Sequence, residues 1–395
     1  MRLLPTLALL TLAATTATAD PAPVDAGEDF LAEGQLLLRV AACGSSEALP
    51  AALSKGDAAL GAKLQAVVDK HCKSLAPYME KFRKAYFGDA QAWLKKLEPA
   101  NLPPQVVYPF GGGDLISALV AFPDATEITT ISLELAGDPR HLMSLAPADL
   151  DRALGAVRTE IGALIWVGSN SSINLSDGQR NALPEQLTSH LLGLSTGGYE
   201  LVGMRYFGLD DKGAIHYLTH AEIDADTKEG RSLRGNWKSP KFAQSFANVE
   251  LKFKKPGETT VRVHRHIAWN LSNDYLKAHP EVIKHLEAKG KITMMTKGAS
   301  YLLWLGDFST IRQYLLDHLV WMLSDSTGIP PNLAKGMDQE VYGSFNAPII
   351  DKVEGNAADL AARKLWSHPK DKMPFRFGYL DKFGAKHLMV TKPKA

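Results

Sequence analysis

Three consecutive glycines, Gly111 to Gly113, stand between two apolar segments in the stretch VVYPFGGGDLISALVAFPDATEITTISLE. Strand-type residues precede them and a helical pattern follows, so the order predicts strand, tight turn, helix and strand. A helix that begins at such a turn can direct its free N–H groups at an anion. We therefore predict Gly111, Gly112 and Gly113 as ligand-binding residues. The alternative is a tight turn that binds nothing.

Asp114 and Glu134 are the acidic side chains that could do chemistry at this turn. Asp114 follows the glycines directly, and Glu134 ends the next predicted strand. Carboxylates that are buried at such a place acquire shifted pKa values and can serve as acid and base. They give one functional hypothesis, a secreted hydrolase or transferase with its site at Gly111–Asp114.

The glycine stretch resembles the opening of dinucleotide-binding and S-adenosylmethionine-dependent folds. A Rossmann unit places a ribose-binding acid about 20 residues after its glycines, and Glu134 stands at that distance. The resemblance therefore implies a Rossmann-like α/β unit. The spacing departs from G-x-G-x-x-G, because Leu115 and Ile116 stand where the third glycine would fall. This departure and the predicted export argue against a nucleotide, and we predict no cofactor.

His264 and His266 alternate along a predicted strand, so both imidazoles point to the same face. They form a polar stripe with Arg262 and Asn270, and we predict a solvated strand face. An H-x-H pair could also supply two metal ligands, but a metal needs a third ligand and the sequence identifies none. We predict no metal site, with His264 and His266 as the candidates if there is one.

Three other segments match the sequence pattern of an active site or a metal site but lack the structural context or the residues that the pattern requires. GLSTG around Ser195 matches the nucleophile elbow, which needs a strand before it, whereas a predicted helix precedes it here. Ser367 and Lys370 match S-x-x-K, but the proline between them opposes the required helical turn. DADTKEG begins like a calcium loop, yet Lys228 and Glu229 stand where an oxygen ligand and a glycine belong. We interpret Ser195 as an ordinary loop residue.

Two polar segments, GASYLLWLGDFSTIR and SDSTGIPP, bracket a predicted helix that begins at Ser309. With YPFGGGD and FPDA they resemble exported bacterial proteins to which no activity is assigned, so this resemblance implies a lineage and no chemistry. Polar residues at both ends of the helix also fit simple capping. The candidate ligand-binding residues of these segments are Asp307, Arg312 and Asp325.

The N-terminus predicts export. Arg2, an apolar run and Ala17-Thr18-Ala19 have the layout of a secretory signal peptide over residues 1–19. The apolar run is shorter than the roughly 20 residues that span a bilayer, and no later segment is apolar enough. We expect a periplasmic or extracellular protein without a membrane span.

The charge balance disfavours a nucleic-acid partner. The whole chain carries a formal net charge of +1 at pH 7, and loss of Arg2 with the signal peptide brings it close to zero. Nucleic-acid binders gather a basic excess on one face, and the sequence has no such cluster. The expected partner is a small molecule or another protein.

Cys43 and Cys72 are the two cysteines of the chain. In an exported protein two neighbouring cysteines predict a disulfide, and here it would tie two N-terminal helices. A loop of this size would stabilise the fold by roughly 3 to 4 kcal/mol. Two unpaired buried thiols are the alternative.

Hydrophobic periodicity divides the chain into three parts after the signal peptide. Residues 20–104 form a helical segment, 105–198 a Rossmann-like α/β unit, and 199–395 antiparallel hairpins and helices packed on that core. The predicted fold class is mixed α/β, with a Rossmann-like core, an N-terminal helical segment and an appended antiparallel β part. Because each catalytic motif fails in its context, the leading hypothesis is an exported protein that binds a small ligand or a partner without catalysis.

Three local predictions concern the last part. Residues 224–240 form an exposed loop between two hairpins. The helix that Ser309 caps includes Leu319 and Met322. The tail, PFRFGYLDKFGAKHLMV, forms a last hairpin.

Overall fold

The structure is a computed structural model that describes most of the chain: residues 27–45, 47–166, 183–229, 244–345, 357–378 and 386–394. The predicted signal peptide lies outside these ranges, as do residues 230–240 of the predicted loop. None of the helices in the described ranges has the length and apolar character needed to cross a membrane.

Ten strands and eleven α-helices lie in the described ranges. The strands are β1 (Gln105–Pro109), β2 (Glu127–Ser132), β3 (Glu200–Leu209), β4 (Ile215–Tyr217), β5 (Asn248–Lys254), β6 (Arg262–Ala268), β7 (Ile292–Thr296), β8 (Leu319–Ser324), β9 (Met337–Gly343) and β10 (His387–Pro393). The α-helices are α1 (Leu31–Val40), α2 (Ala58–Phe82), α3 (Gln91–Leu94), α4 (Leu115–Ala121), α5 (Pro147–Trp166), α6 (Glu185–Thr196), α7 (His220–Glu229), α8 (Asn273–Ala278), α9 (Glu281–Glu287), α10 (Ser309–His318) and α11 (Ala357–Trp366). A π-helical segment, Arg83–Ala90, joins α2 to α3. Short 3-10 helices span Ala51–Ser54, Pro139–Ser144, Gln244–Phe246, Ala299–Trp304 and Gly306–Phe308.

These strands form one mixed sheet in the order β4-β3-β5-β6-β2-β1-β7-β8-β10-β9. The five central strands, from β6 to β8, are parallel to one another. The outer strands pair antiparallel, and antiparallel pairings outnumber parallel ones by five to four. The predicted mixed α/β class is confirmed. The antiparallel strands are not an appended part, because they extend the same sheet at both edges.

Helices cover both faces of the sheet. Parallel strands inside such a sheet are buried on both faces, and all five residues of β7 are buried. Helices α1, α2, α4, α5 and α6 pack into the core on one face. Helices α8, α9 and α10 pack into the core on the other. The order of layers is therefore helix, sheet, helix, and residues 199–395 supply three of the five parallel strands.

The predicted disulfide between Cys43 and Cys72 is confirmed, with Cα atoms 5.5 Å apart. It ties the end of α1 to the middle of α2. Helix α2 begins at Asp57, whose carboxylate accepts hydrogen bonds from the N–H groups of Ala59 and Leu60. A cap of this kind contributes about 1 kcal/mol. The N-terminal helices are thus fixed both by the covalent bond and by local capping.

The helix near Ser309 is shorter than predicted. Helix α10 ends at His318, and Leu319 and Met322 belong to the strand β8. The apolar run in LVWML suits a buried strand as well as a helix, and periodicity alone does not separate the two. Hydrogen bonding to β7 and β10 on its two sides favours the strand. The predicted serine cap is also wrong, because Phe308 is the N-cap and Ser309 the first helical residue.

The predicted exposed loop after residue 224 is wrong at its start, because residues 224–229 are helical within α7. The helix begins with a capping box. The Thr219 N–H donates to Glu222 Oε2 at 2.8 Å, and the Glu222 N–H donates to the Thr219 hydroxyl at 3.4 Å. Hydrogen bonds from Thr219 lower the pKa of Glu222 to about 2. A Thr-x-x-Glu pattern of this kind is readable from sequence.

Two of the three predicted hairpins are confirmed. Strands β3 and β4 pair antiparallel around the turn at 210–213, and β5 and β6 around the turn at 255–258. The predicted tail hairpin is wrong for the residues that the structure describes. There β10 pairs with β8 and β9, which come earlier in the chain.

His285 fastens α9 to the β3–β4 turn. Its Nδ1 lies 3.0 Å from the carbonyl oxygen of Gly213. A Cβ at Gly213 would lie 2.5 Å from the backbone nitrogen of His285, so helix and turn are in direct contact. Burial lowers the pKa of His285 to about 4. The imidazole is therefore neutral at pH 7 in the folded protein.

Acid should weaken the fold through His285. In the unfolded chain the pKa of histidine is about 6.5, so below that pH the unfolded state takes up a proton that the folded state does not. The stabilisation is complete above about pH 6.5 and is lost as the pH falls toward 4, by roughly 2 to 3 kcal/mol. In urea unfolding, the stability of the wild type relative to His285→Gln should fall over this range. The exposed His368→Gln variant is the control, and a difference that stays constant with pH contradicts the prediction.

Candidate ligand site at the glycine turn

The glycine turn joins β1 to α4 and is held by backbone hydrogen bonds. The Gly111 N–H points at the carbonyl oxygens of Tyr108 and Ile131, at 3.2 and 3.1 Å, and the Asp114 N–H donates to Gly111 at 2.9 Å. Gly112 has a φ of +49°, in the left-handed region that favours glycine. The predicted order of strand, tight turn, helix and strand is confirmed.

Helix α6 packs directly on this turn. A Cβ at Gly113 would lie 2.6 Å from Gln186 Oε1 and 2.8 Å from the Cβ of Ser189. At Gly193 of the same helix, a Cβ would lie 3.2 Å from the backbone nitrogen of Ile116 in α4. Glycine at both points allows the close approach of the two backbones. Helix α6 thus covers one side of the turn, and the ligand-binding role of the glycines stays a prediction.

Asp114 accepts three side-chain hydrogen bonds at the end of the turn. Its Oδ2 accepts from the Tyr108 hydroxyl at 2.9 Å and from the Lys297 ammonium at 3.1 Å, and its Oδ1 accepts from the Ser117 hydroxyl at 2.7 Å. Lys297 also donates to the Ser117 oxygen at 3.0 Å. The side chains of Asp114 and Lys297 are 10% and 18% exposed. The candidate acid or base is therefore one half of a shielded ion pair.

A narrow cleft opens beside this ion pair, at the carboxyl ends of β1 and β7. Its cavity volume is about 50 Å³, and Asp114, Lys297 and Arg376 line it. Four aromatic rings form much of its wall: Phe82, Tyr86, Phe375 and Phe377. The Lys297 ammonium lies 5.6 Å from the ring centroid of Phe377, within range of a cation–π attraction. Burial raises the pKa of Tyr86, so its hydroxyl is protonated at pH 7.

The strand face that carries His264 and His266 is buried, so the predicted solvated face is wrong. Both residues are 0% exposed, because β6 lies inside the sheet and α6 covers this side of it. His190 of α6 brings a third buried imidazole, with its ring centroid 4.3 Å from that of His264 and 5.1 Å from that of His266. The sequence placed two histidines on one face, and it could not show that a helix residue joins them.

Thr130 of β2 links the two strand histidines. Burial lowers the pKa of His266 to about 4 and those of His264 and His190 as well, so all three are neutral at pH 7. His266 Nε2 lies 2.8 Å from the backbone oxygen of Glu134, which can only accept, so this nitrogen carries the proton. His266 Nδ1 then accepts from the Thr130 hydroxyl at 3.2 Å, and the Thr130 oxygen accepts from His264 Nε2 at 3.0 Å. The chain of hydrogen bonds therefore fixes both tautomers.

The remaining candidate residues do not meet in one pocket. Asp325 is fully buried and accepts hydrogen bonds from two backbone N–H groups at the ends of β7 and β8. Arg312 donates to two backbone carbonyl oxygens at 2.7 and 3.0 Å, and Asp307 is exposed. Among the described residues these three share no hydrogen bond or ion pair. Glu134 is half-buried after β2, and it is its backbone oxygen that binds His266.

Lys297 and the aromatic residues of the tail were not predicted from the sequence. Lys297 directly follows β7, which pairs in parallel with β1. Side chains that follow neighbouring parallel strands meet at one edge of the sheet, so a correct placement of β7 would have indicated Lys297. Phe375 and Phe377 had no such signal, because no pattern indicates that this segment crosses the end of β1.

Comparisons with protein-family models, with curated proteins and with solved structures gave no match for the chain. The functional interpretation therefore depends on the geometry of the molecule alone.

Replacing Gly113 by alanine should destabilise the protein, because the new methyl group would collide with Gln186 and Ser189. Overpacking of this kind costs about 1 to 3 kcal/mol. The control is Gly208→Ala in β3, where a Cβ would meet nothing within 4 Å, and where stability should stay the same or rise. Urea unfolding measures both changes. Equal stability of the two variants would contradict the packing of α6 on the turn.

Proposed function

We propose that this protein is exported, has a Rossmann-like core and binds a small amphipathic anion in the cleft beside the glycine turn. The ligand would have an apolar or aromatic body and one anionic group, such as a carboxylate or a sulfonate. The observation that carries the proposal is the position of Lys297, a shielded cation in a cleft with aromatic walls.

The strand order supports this location. The five parallel strands, read as β6-β2-β1-β7-β8, have the 3-2-1-4-5 order of the doubly wound α/β fold. In such folds the strand order reverses beside the first strand, and ligands bind outside the carboxyl ends of the strands at that point. Here that point lies between β1 and β7, and Asp114 and Lys297 stand just beyond the two strands.

The chemistry of the lining supports an amphipathic anion. Two cationic side chains, Lys297 and Arg376, line the cleft with the single carboxylate of Asp114. Pockets for small molecules are mostly apolar, with a few polar groups that fix the orientation of the ligand. The rings would bury the apolar body, while the cations would attract the anionic group.

The state of Asp114 favours binding over catalysis. A general base needs a lone pair within reach of the proton that it removes. The carboxylate already accepts from Tyr108, Ser117 and Lys297, which together stabilise its charged form and occupy three of its roughly four lone-pair sites. The hydrolase or transferase hypothesis would depend on the remaining lone pair, and binding does not.

An anilinonaphthalene sulfonate dye is a suitable probe, because it combines aromatic rings with one anionic group and fluoresces in apolar surroundings. We expect the folded protein to bind it, and Lys297→Met to weaken binding at least about fivefold, which corresponds to roughly 1 kcal/mol. The double variant Asp114→Asn, Lys297→Met should bind the dye as weakly as Lys297→Met does. It tests the same cation without leaving the Asp114 carboxylate unpaired.

The matched control is Lys95→Met, at a second cleft near the opposite end of β1. This variant should bind the dye as the wild type does, and circular dichroism should show all variants folded. Equal affinities of the wild type, Lys297→Met and Lys95→Met would contradict the proposed site.

A further inference from the structure

A second polar cluster lies behind the glycine turn, between α6 and the sheet. Gln186 and His190 are one helical turn apart on α6, so their side chains leave the same face of the helix. His190 meets His264 and His266, which stand with Thr130 side by side on β6 and β2. Gln186 lies against the glycine turn, with its Oε1 2.6 Å from where a Cβ on Gly113 would stand. All five side chains are fully buried.

This cluster contains polar atoms without a hydrogen-bond partner among the described residues. They are His264 Nδ1, both ring nitrogens of His190, and both amide atoms of Gln186. A buried polar group that is left unpaired costs about 1 to 3 kcal/mol. Such groups rarely gather in one place unless a ligand, an ion or water satisfies them. The cluster therefore has the polar atoms that a binding site for a ligand, an ion or water requires.

The tautomer of His264 leaves its Nδ1 lone pair available to bind a metal ion. Its Nε2 carries the proton and donates to Thr130, so the unpartnered Nδ1 presents a lone pair. Metal-binding histidines characteristically donate their other N–H to a second residue, which fixes the ring and raises its basicity. Thr130 does this here, and His266 with the Glu134 carbonyl holds Thr130 in turn.

We propose that His190 and His264 bind one divalent transition-metal ion, with Thr130 and His266 as positioning residues. Imidazole nitrogens suit zinc, cobalt, nickel or copper ions. The inference is independent of the cleft at Lys297, and one site can fail while the other stands.

The site requires a small movement. In the described part of the chain, the one group of three His, Cys, Asp or Glu residues with donor atoms within 4.8 Å of one another is Cys43, His71 and Cys72, whose sulfurs form the disulfide. The three imidazoles behind the turn do not yet converge. His190 has no hydrogen bond to break, so turning its ring toward His264 Nδ1 requires only the repacking of a buried side chain.

The two arginines nearby are each paired with carboxylates. Arg262, on the same side of β6 as the histidines, forms an ion pair with Glu258 at 2.6 Å. Arg265 lies between the two histidines in sequence, but it points to the other face of the sheet. There it forms ion pairs with Glu127 and Glu250, both at 2.8 Å.

Cobalt(II) is the probe of choice, because imidazole ligation gives it visible absorption bands. Protein without a histidine tag and with its disulfide intact would be unfolded with a chelator, refolded with cobalt(II) or zinc(II), and dialysed to remove surface-bound metal. We expect one equivalent of metal by elemental analysis, with ligand-field bands for cobalt. The metal should also raise the unfolding midpoint over that in chelator, since it binds the folded state alone.

His190→Leu and His264→Leu should abolish stoichiometric binding and the bands. The matched control is His285→Leu, which removes a buried imidazole from the other face of the sheet and should leave both unchanged. A wild type that refolds without retaining either metal would show that water alone serves these groups and would overturn the proposal. Equal retention by His190→Leu, His264→Leu and the control would do the same. The measurement of metal retention by the wild type tests the proposal even if a variant fails to fold.

Discussion

The close contact between α6 and the glycine turn is the constraint on which the rest of the site depends. Gly113 and Gly193 remove the side chains that would hold the two segments apart. As a result the helix packs closely against the turn and the first turn of α4. This contact covers one side of the turn and buries His190 against His264. It leaves the open space on the other side, between the ends of β1 and β7.

The ion pair of Asp114 and Lys297 lies at the end of the same turn. Taking two charges out of water costs free energy, and their attraction repays it only if further hydrogen bonds satisfy the remaining lone pairs. Tyr108 and Ser117 supply these bonds to the carboxylate. The ammonium stays at the cleft, against an aromatic ring. The Lys297 ammonium can therefore attract an anionic ligand while it stays paired with Asp114.

The sequence predicted the features that are set by neighbouring residues. The disulfide, two hairpins and the unit around the glycine turn depend on local turn residues and short spacings, and all are present. Features set by distant contacts were missed or wrong. LVWML became a strand only because β7 and β10 flank it. The face of His264 became interior only because α6 covers it. His190, Lys297 and Phe377 come from separate parts of the chain, and no local pattern joins them.

The most direct test of this account is amide hydrogen exchange, followed by mass spectrometry on peptides that contain Gly111–Gly113 and α6. If α6 closes the turn, the hydrogen-bonded amides of Gly111 and Asp114 lie in a protected unit and open only with the helix. We predict slow exchange in both peptides, and we expect their exchange rates to rise together when denaturant is added. Exchange of the turn amides within seconds, while α6 stays protected, would contradict the account.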